Sequence, residues 1–392
     1  GVGYHSFILS SLRKTSLREP WPKVTVIVPC KGQDHELRRN LEAIIHQNPP
    51  AHEVIFVTAR EDDPAQVTIK ELQANSSSPI VRHVVAGTGH LCGEKVNNLL
   101  VAVDRADPGT EVFVFADSDA QPPHYWLSEL VSPLCASGGV PGATTGYRWY
   151  LPEQKNPASA LRSAWNAGIA TLLGPHRRNF CWGGSTAIRR EIFDQIRVKQ
   201  YWQHSISDDY SMTQALKDAN LPIRFVPRCL ITSRGHTTWS EVVEWSIRQL
   251  VITRIYSNKL WKLAAVSQTV FAFTLLLGLL LLPQEWRSLL ARMSAPSSDR
   301  PESYFQMPVT GFLLFILLLG VCRGWLRWRS IRAVLIEHRE NLDHYAWAYI
   351  LLPSLISLFS TYVLWRSALT NRVEWRGRVY ELISSEEMRV LR

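Results

Sequence analysis

The chain has 392 residues, 46% of them hydrophobic, with 43 Lys and Arg against 34 Asp and Glu and a formal net charge of +9. That length buries a full core and leaves material for a second region, and the basic balance suits a negatively charged partner: nucleic acid, an anionic membrane surface or a phosphorylated substrate. Six cysteines (Cys30, Cys92, Cys135, Cys181, Cys229, Cys322) lack CxxC spacing, which argues against zinc sites and a disulfide framework and for packed thiols in a reducing compartment.

Residues 1–23 read as a lead segment without a secretory signal. Residues 24–28 (VTVIV) form a short apolar strand ended by the turn Pro29-Cys30-Lys31-Gly32. A helical pattern follows, with Leu37, Leu41, Ile44 and Ile45 on one face. A second strand at 53–57 runs into Arg60-Glu61-Asp62-Asp63-Pro64. Then come a helix over 65–75, a strand at 81–85, a glycine-rich loop at 87–93 and a helix at 94–105. The next strand, 112–116 (VFVFA), is apolar on both faces and leads straight into Asp117-Ser118-Asp119. Strands alternating with helices predict a doubly wound, mainly parallel α/β sheet with right-handed crossovers, and ligands bind such sheets at the carboxyl ends of the strands. Two carboxylates one residue apart there can hold a hard divalent cation, which in turn neutralises a diphosphate. The same residues taken alone also fit an acidic turn that merely ends a strand.

Farther along, 156–176 reads as an amphipathic helix lying across the sheet or on a membrane. Cys181-Trp182-Gly183-Gly184-Ser185-Thr186 is a small-residue loop that lets backbone approach a ligand. After a helix at 189–196, Ser207-Asp208-Asp209-Tyr210 opens another helix, and 239–262 is an amphipathic segment carrying Arg248, Arg254, Lys259 and Lys262. Three uncharged runs follow, at 263–282, 307–321 and 345–365, the last with Trp and Tyr at both ends. Runs of this kind predict an integral membrane protein. The five arginines of 322–344 put that segment in the cytoplasm, 284–306 outside and everything before 263 in the cytoplasm. A third full crossing would then carry the basic tail, with Arg366, Arg372, Arg376, Arg378, Arg389 and Arg392, to the outside. That conflicts with the same rule unless Pro353 breaks the last segment.

Taken in order, PCKG (29–32), EDDPA (61–65), GEKVNNL (93–99), DSD (117–119), WGGSTAIRREIFD (182–194) and DDY (208–210) resemble the family-two inverting glycosyltransferases. Within that family the chain is most similar to the membrane-bound ceramide glucosyltransferases and their bacterial lipid-glycosylating relatives, over about residues 24–255. The resemblance implies a GT-A catalytic domain over 24–238 and an interface helix at 239–262, followed by a transmembrane region at 263–365 and the basic tail at 366–392. It also implies an inverting transfer from a nucleotide sugar with Mg2+ or Mn2+, and it gives nucleic acid no part.

By the same resemblance Asp63 contacts uracil, Asp117 and Asp119 bind ribose and metal, and Asp209 is the general base for the acceptor hydroxyl. Asp63 before Pro64 is equally a helix N-cap, and Asp208-Asp209 equally an acidic pair facing a helix dipole. Lys31 and Lys95 offer cations to the nucleotide or diphosphate. Asp208 orients the site or raises its neighbour's proton affinity. His176 stands near an important histidine of lipid-transferring relatives. Where the family has Q/R-x-x-R-W this chain has Arg248-Gln249-Leu250-Val251-Ile252, so Arg248 fits and the Arg-Trp pair is missing, with Arg254 one turn away. The expectation is therefore a membrane-anchored enzyme, catalytic domain in the cytoplasm, transferring glucose or a related sugar from UDP to a lipid hydroxyl such as that of ceramide. The alternatives are a polyprenyl-phosphate or polysaccharide transferase of the same fold, and a catalytically silent scaffold that binds nucleotide sugar.

Overall fold

In the computed structural model, which describes residues 2–12, 20–34, 36–135, 140–152, 156–294 and 308–391, the expected alternation is present. After a short helix α1 (Val2–Ser10) come β1 (Val24–Pro29), α2 (Leu37–Ile45), β2 (Glu53–Thr58), α3 (Ala65–Asn75), β3 (Ile80–Val85), α4 (Glu94–Arg105) and β4 (Val112–Ala116). These four strands are parallel, in the order β3-β2-β1-β4. Alternate residues of β1 serve two separate cores. Val24, Val26 and Val28 pack with α2, α3 and α5 (Trp126–Val131), whereas Ile27 packs on the other face with α4. A strand covered on both faces has no solvent side, hence its continuous apolar run.

The rest of the sheet is mixed. β5 (Ala143–Leu151), α6 (Pro157–Ala170), β6 (Ser185–Arg189), α7 (Arg190–Gln195), α8 (Val198–Trp202), α9 (Asp208–Asp218) and β7 (Ile223–Arg234) complete the order β3-β2-β1-β4-β6-β5-β7. Only β6 is antiparallel to its neighbours β4 and β5. α6 is capped by Asn156, whose side chain accepts from the backbone N–H groups of Ala158 and Ser159, with Pro157 at its first position. It ends at Ala170, six residues before the limit read from the sequence.

α10 (Trp239–Tyr256) opens with a capping box between Thr238 and Glu241 and stops at Ser257, so the boundary with the next helix falls there and not at 262. α11 (Asn258–Ser294) and α12 (Pro308–Val334) contain the segments Asn258–Ala291 and Pro308–Val334, both long and apolar enough to cross a membrane. α11 turns Leu263, Val266, Val270, Phe273 and Leu280 outward. The third expected segment is divided. After α13 (Arg339–His344), α14 (Ala346–Leu351) ends, and Pro353 opens α15 (Pro353–Ala368). Proline lacks the N–H that would continue the helix and instead suits a helix start. Neither piece has the ~20 residues of a full crossing. Residues 295–307, which include Met307 and the second half of the 284–306 segment expected outside, lie outside the described residues, as do 13–19 of the lead segment and Arg392.

The basic tail is folded. β8 (Arg372–Trp375), β9 (Arg378–Leu382) and β10 (Met388–Val390) form an antiparallel sheet in the order β10-β9-β8. Val373, Tyr380, Leu382 and Met388 join one apolar cluster with Ile206, Val251 and Ile252. The tail therefore returns to the domain from which the two long helices depart.

Candidate active site

The site forms at the carboxyl end of β4, which delivers Asp117 and Asp119. Between them lies Arg148 of β5, with 13% of its side chain exposed. Its Nη2 is 2.8 Å from Asp117 Oδ2 and 2.6 Å from Asp119 Oδ1, and its Nη1 donates to Asp119 Oδ2 at 3.0 Å. The guanidinium also lies 5.1 Å from the ring centre of Trp182 and 5.5 Å from that of Tyr150, a cation–π arrangement. The first turn of α4 supplies Lys95, whose Nζ is 2.8 Å from Asp117 Oδ1 and 3.1 Å from Asp208 Oδ1. Three carboxylates and two cations from four elements thus share one network. Burial opposes the charge on Asp117, but Lys95 and Arg148 outweigh it and hold that carboxyl below the usual range. Burial likewise opposes the charge on Lys95, and Asp117 and Asp208 hold its ammonium above the usual range. At Asp208 burial wins: with Asp209 and Asp117 adding to it against the pull of Lys95, the carboxyl is pushed up to about 6.

α9 begins where Ser207 caps it, accepting from the backbone N–H of Tyr210 and donating to Asp209 Oδ1. Asp209 Oδ1 also accepts from the Tyr210 N–H at 2.8 Å. Its Oδ2 has no hydrogen-bond partner among the described residues. The loop before β6 is tight for a definite reason: a Cβ on Gly183 would overlap Asp208 Oδ2, and one on Gly184 would come within 2.7 Å of Asp117 Oδ2. The small residues let backbone approach the acids themselves.

Lys31, Lys95, Asp117, Asp119, Arg148, Asp208, Asp209 and Arg248 line one cavity of about 1400 Å3. It continues past Trp165 and Trp245 to apolar walls made by Leu263 and Phe271 of α11, Ile316 and Leu319 of α12, and Ile356 and Leu364 of α15. Asp117 Oδ2 and Asp119 Oδ1 meet at a single guanidinium nitrogen, so two hard oxygen donors converge on one cation position. Among the described residues no group of three His, Cys, Asp or Glu side chains gathers as a metal cage. A divalent ion that takes one or two carboxylates and fills its other positions with phosphate oxygen and water fits this donor set, provided Arg148 turns aside.

Three expected site residues lie elsewhere. Asp63 does not line the cavity: its Oδ1 accepts from the backbone N–H groups of Gly32 at 2.8 Å and Ala65 at 2.9 Å, so it starts α3 and ties down the Lys31 turn. His176 is exposed at the end of the α6 loop, where its Nδ1 accepts from the Arg178 N–H at 3.2 Å, and Arg178 is the residue that reaches the cavity. Arg254 points away, donating to Thr370 O at 2.7 Å and Asn371 Oδ1 at 2.5 Å. Lys31 lines the cavity but is paired with Glu94 at 2.7 Å. Sequence reading missed Arg148. The signal was an arginine as the one charge inside the strand ATTGYRWYL, since a charge in a buried strand needs a partner.

Among solved structures, the chain is similar to the mannosyltransferase PcManGT from Pyrobaculum calidifontis in complex with GDP-Man and Mn2+, at 15% identity, over 93% of this chain and 92% of that one, with a TM-score of 0.46. It is also similar to glucosyl-3-phosphoglycerate synthase from Mycobacterium tuberculosis in complex with Mn2+ and UDP-glucose, at 14% identity, over 64% and 82% of the two chains, with a TM-score of 0.38. The family model described as glycosyl transferase family 21 matches residues 1–295. With most of its length so matched, the chain belongs to glycosyl transferase family 21.

Proposed function

We propose that this glycosyltransferase moves one sugar from a UDP-sugar, UDP-glucose first, to the hydroxyl of a membrane lipid such as ceramide, with inversion at the anomeric carbon. The observation that carries the reading is the single cavity running from the carboxylate–cation network to the apolar walls of α11, α12 and α15. A polar donor and an apolar acceptor can meet in it without either leaving its preferred surroundings. In this reading α11 and α12 are two membrane spans, and the catalytic domain faces the cytoplasm with α6 and α10 at the bilayer surface.

Asp209 takes the proton of the acceptor hydroxyl on its open Oδ2 while the hydroxyl oxygen bonds to the anomeric carbon from the face opposite the diphosphate. The bond from that carbon to the diphosphate oxygen breaks with its electron pair, and UDP departs with its charge met by Lys95 and Arg148. Groups placed in this way for a developing charge are worth ~10²–10³ in rate each. Mg2+ or Mn2+, held by Asp117 and Asp119, supplies further positive charge to the diphosphate when bound.

A second acceptor class has an observation of its own. Arg327 is 9% exposed, its Nε is unbonded, it has no acidic partner among the described residues, and with Arg323 it lines the apolar end of the cavity. A buried guanidinium without an anion is costly, which favours a lipid whose head carries phosphate, such as a polyprenyl phosphate. One experiment tests both readings: detergent-solubilised protein is incubated with a panel of UDP-sugars and total lipid extract, and products are weighed by mass spectrometry. The expected product is one new lipid heavier by a single sugar, on a neutral or a phosphate head. Asp209→Asn should lower turnover by ~10²–10⁴ while UDP still binds. No product from any donor, or unchanged turnover in D209N, refutes the reading.

A further inference from the structure

The donor end of the cavity is closed by a part of the chain far from every motif described so far. The β8–β9 turn is Arg376-Gly377, with φ of 47° and 79°. Two successive left-handed residues make the tight hairpin turn that matches strand twist. Glycine takes that conformation freely, whereas arginine takes it against a steric cost, and such outliers concentrate at functional positions. The Arg376 side chain reaches across to the first motif, where Nη1 donates to Lys31 O at 2.6 Å and Nη2 to Asp34 Oδ2 at 2.9 Å. It lines the cavity together with Asp117 and Asp119. Although burial opposes its charge, Asp34 first, and Asp119 and Asp117 beyond it, hold the guanidinium above its usual range.

The hairpin is fastened on both sides of this tip. Arg378 donates to Gly89 O at 3.2 Å, and the Tyr380 hydroxyl accepts from the Glu94 N–H at 3.4 Å. Arg248 donates to Glu374 O at 3.3 Å, and its guanidinium lies 5.9 Å from the Trp375 ring centre. Beneath them Val251 and Ile252, the residues standing where an Arg-Trp pair was expected, form an apolar floor with Val373, Tyr380 and Leu382. A tryptophan and an arginine thus reach the cavity from the tail, as Trp375 and Arg376.

We propose that the C-terminal sheet is a wall of the donor pocket and that Arg376 binds the diphosphate of the nucleotide sugar, exchanging a backbone carbonyl and Asp34 for phosphate oxygens. The proposal rests on the donor reading above. It is tested on the full-length protein in detergent with Mn2+, by measuring Kd for UDP and for UMP in the parent, Arg376→Gln, Arg376→Lys and the neighbouring control Arg372→Gln. Loss of a charge-assisted contact to the terminal phosphate should weaken UDP roughly 10-fold to 100-fold in R376Q, weaken UMP far less, and leave R372Q at parent values. R376K should recover part of the loss. Equal weakening of UDP and UMP in R376Q would mean that the arginine only holds the fold, and it overturns the proposal, as does an unchanged UDP-to-UMP ratio. If the parent itself binds no UDP, the donor reading falls and this proposal with it. If the parent binds UDP and R376Q matches it, this proposal alone falls.

Discussion

Asp208 and Asp209 are adjacent in sequence and live in opposite surroundings. Asp209 is half-buried, with one oxygen held by Ser207 and the Tyr210 N–H and the other open to the cavity. Asp208 is 4% exposed and binds its proton up to about pH 6, whereas a free Asp lets go near ~3.9. Because the folded chain holds that proton more tightly, the contribution of this one carboxyl to stability is full below about pH 4 and is lost as pH rises through about 6. Asp208→Asn, which mimics the protonated form, should therefore gain on the parent in Tm across this window and hold a constant lead above it. A lead that does not change between pH 4 and 7 would show that Asp208 is charged throughout. Arg148→Met removes the guanidinium from the position shared by Asp117 and Asp119. Manganese titration followed by electron paramagnetic resonance, without nucleotide, should find Mn2+ bound at least ~10-fold more tightly than in the parent, since the ion then meets Asp119 without an ion-pair partner among the described residues and Asp117 held only by Lys95. Gly183→Ala should cost about 1–3 kcal/mol, read from chemical denaturation, because the new methyl overlaps Asp208. The acids of this site were legible from the sequence because each ends a strand or opens a helix with a recognisable pattern. Arg148 was visible only as a misplaced charge; which acids it joins depends on the β4–β6–β5 order, and no local pattern carries that.

At the scale of elements, three helix starts follow the capping chemistry. Asn156, Ser207 and Thr238 each cap the helix that follows by accepting from its first backbone N–H groups. Thr238→Ala should cost about 1 kcal/mol, measurable as a lower denaturation midpoint, because it removes the cap and one side of the box with Glu241. α12 approaches α14 closely at Gly324, where a Cβ would meet Tyr349 O at 2.3 Å; Gly324→Leu should therefore separate the two helices and lower Tm by several degrees in detergent. The C-terminal sheet was readable and went unread. Arg372-Val373-Glu374-Trp375 and Arg378-Val379-Tyr380-Glu381-Leu382 alternate with period two around an Arg-Gly turn, a hairpin pattern. Its arginines gave it the composition of a solvated tail, and the apolar surface that orders it, Ile206, Val251 and Ile252, belongs to distant elements.

At the scale of the whole molecule, the proposed pair of spans avoids the conflict that three crossings created, because the tail packs on the domain that carries the cavity. In the proposed arrangement, with α11 and α12 as the two spans and Pro353 dividing the last apolar run, the domain and the tail packed on it lie on one side. Membrane-impermeant labelling in sealed vesicles should accordingly find cysteines introduced at Asp62 and Ser384 accessible from the same face, and one introduced at Ser294, at the end of α11, from the opposite face. Labelling of 62 and 384 from opposite faces would require a third crossing. By itself the sequence determined the strand–helix alternation, the acidic motifs, the small-residue loop and the apolar stretches of α11 and α12, because periodicity, capping and hydropathy act over a few neighbouring residues. Only the tertiary structure decided that Asp63, His176 and Arg254 stay off the cavity wall, that Arg148 sits between Asp117 and Asp119, and that the tail returns to line the same cavity. Those outcomes depend on which surfaces bury one another across hundreds of residues, and burial between remote segments leaves no signature in either segment alone.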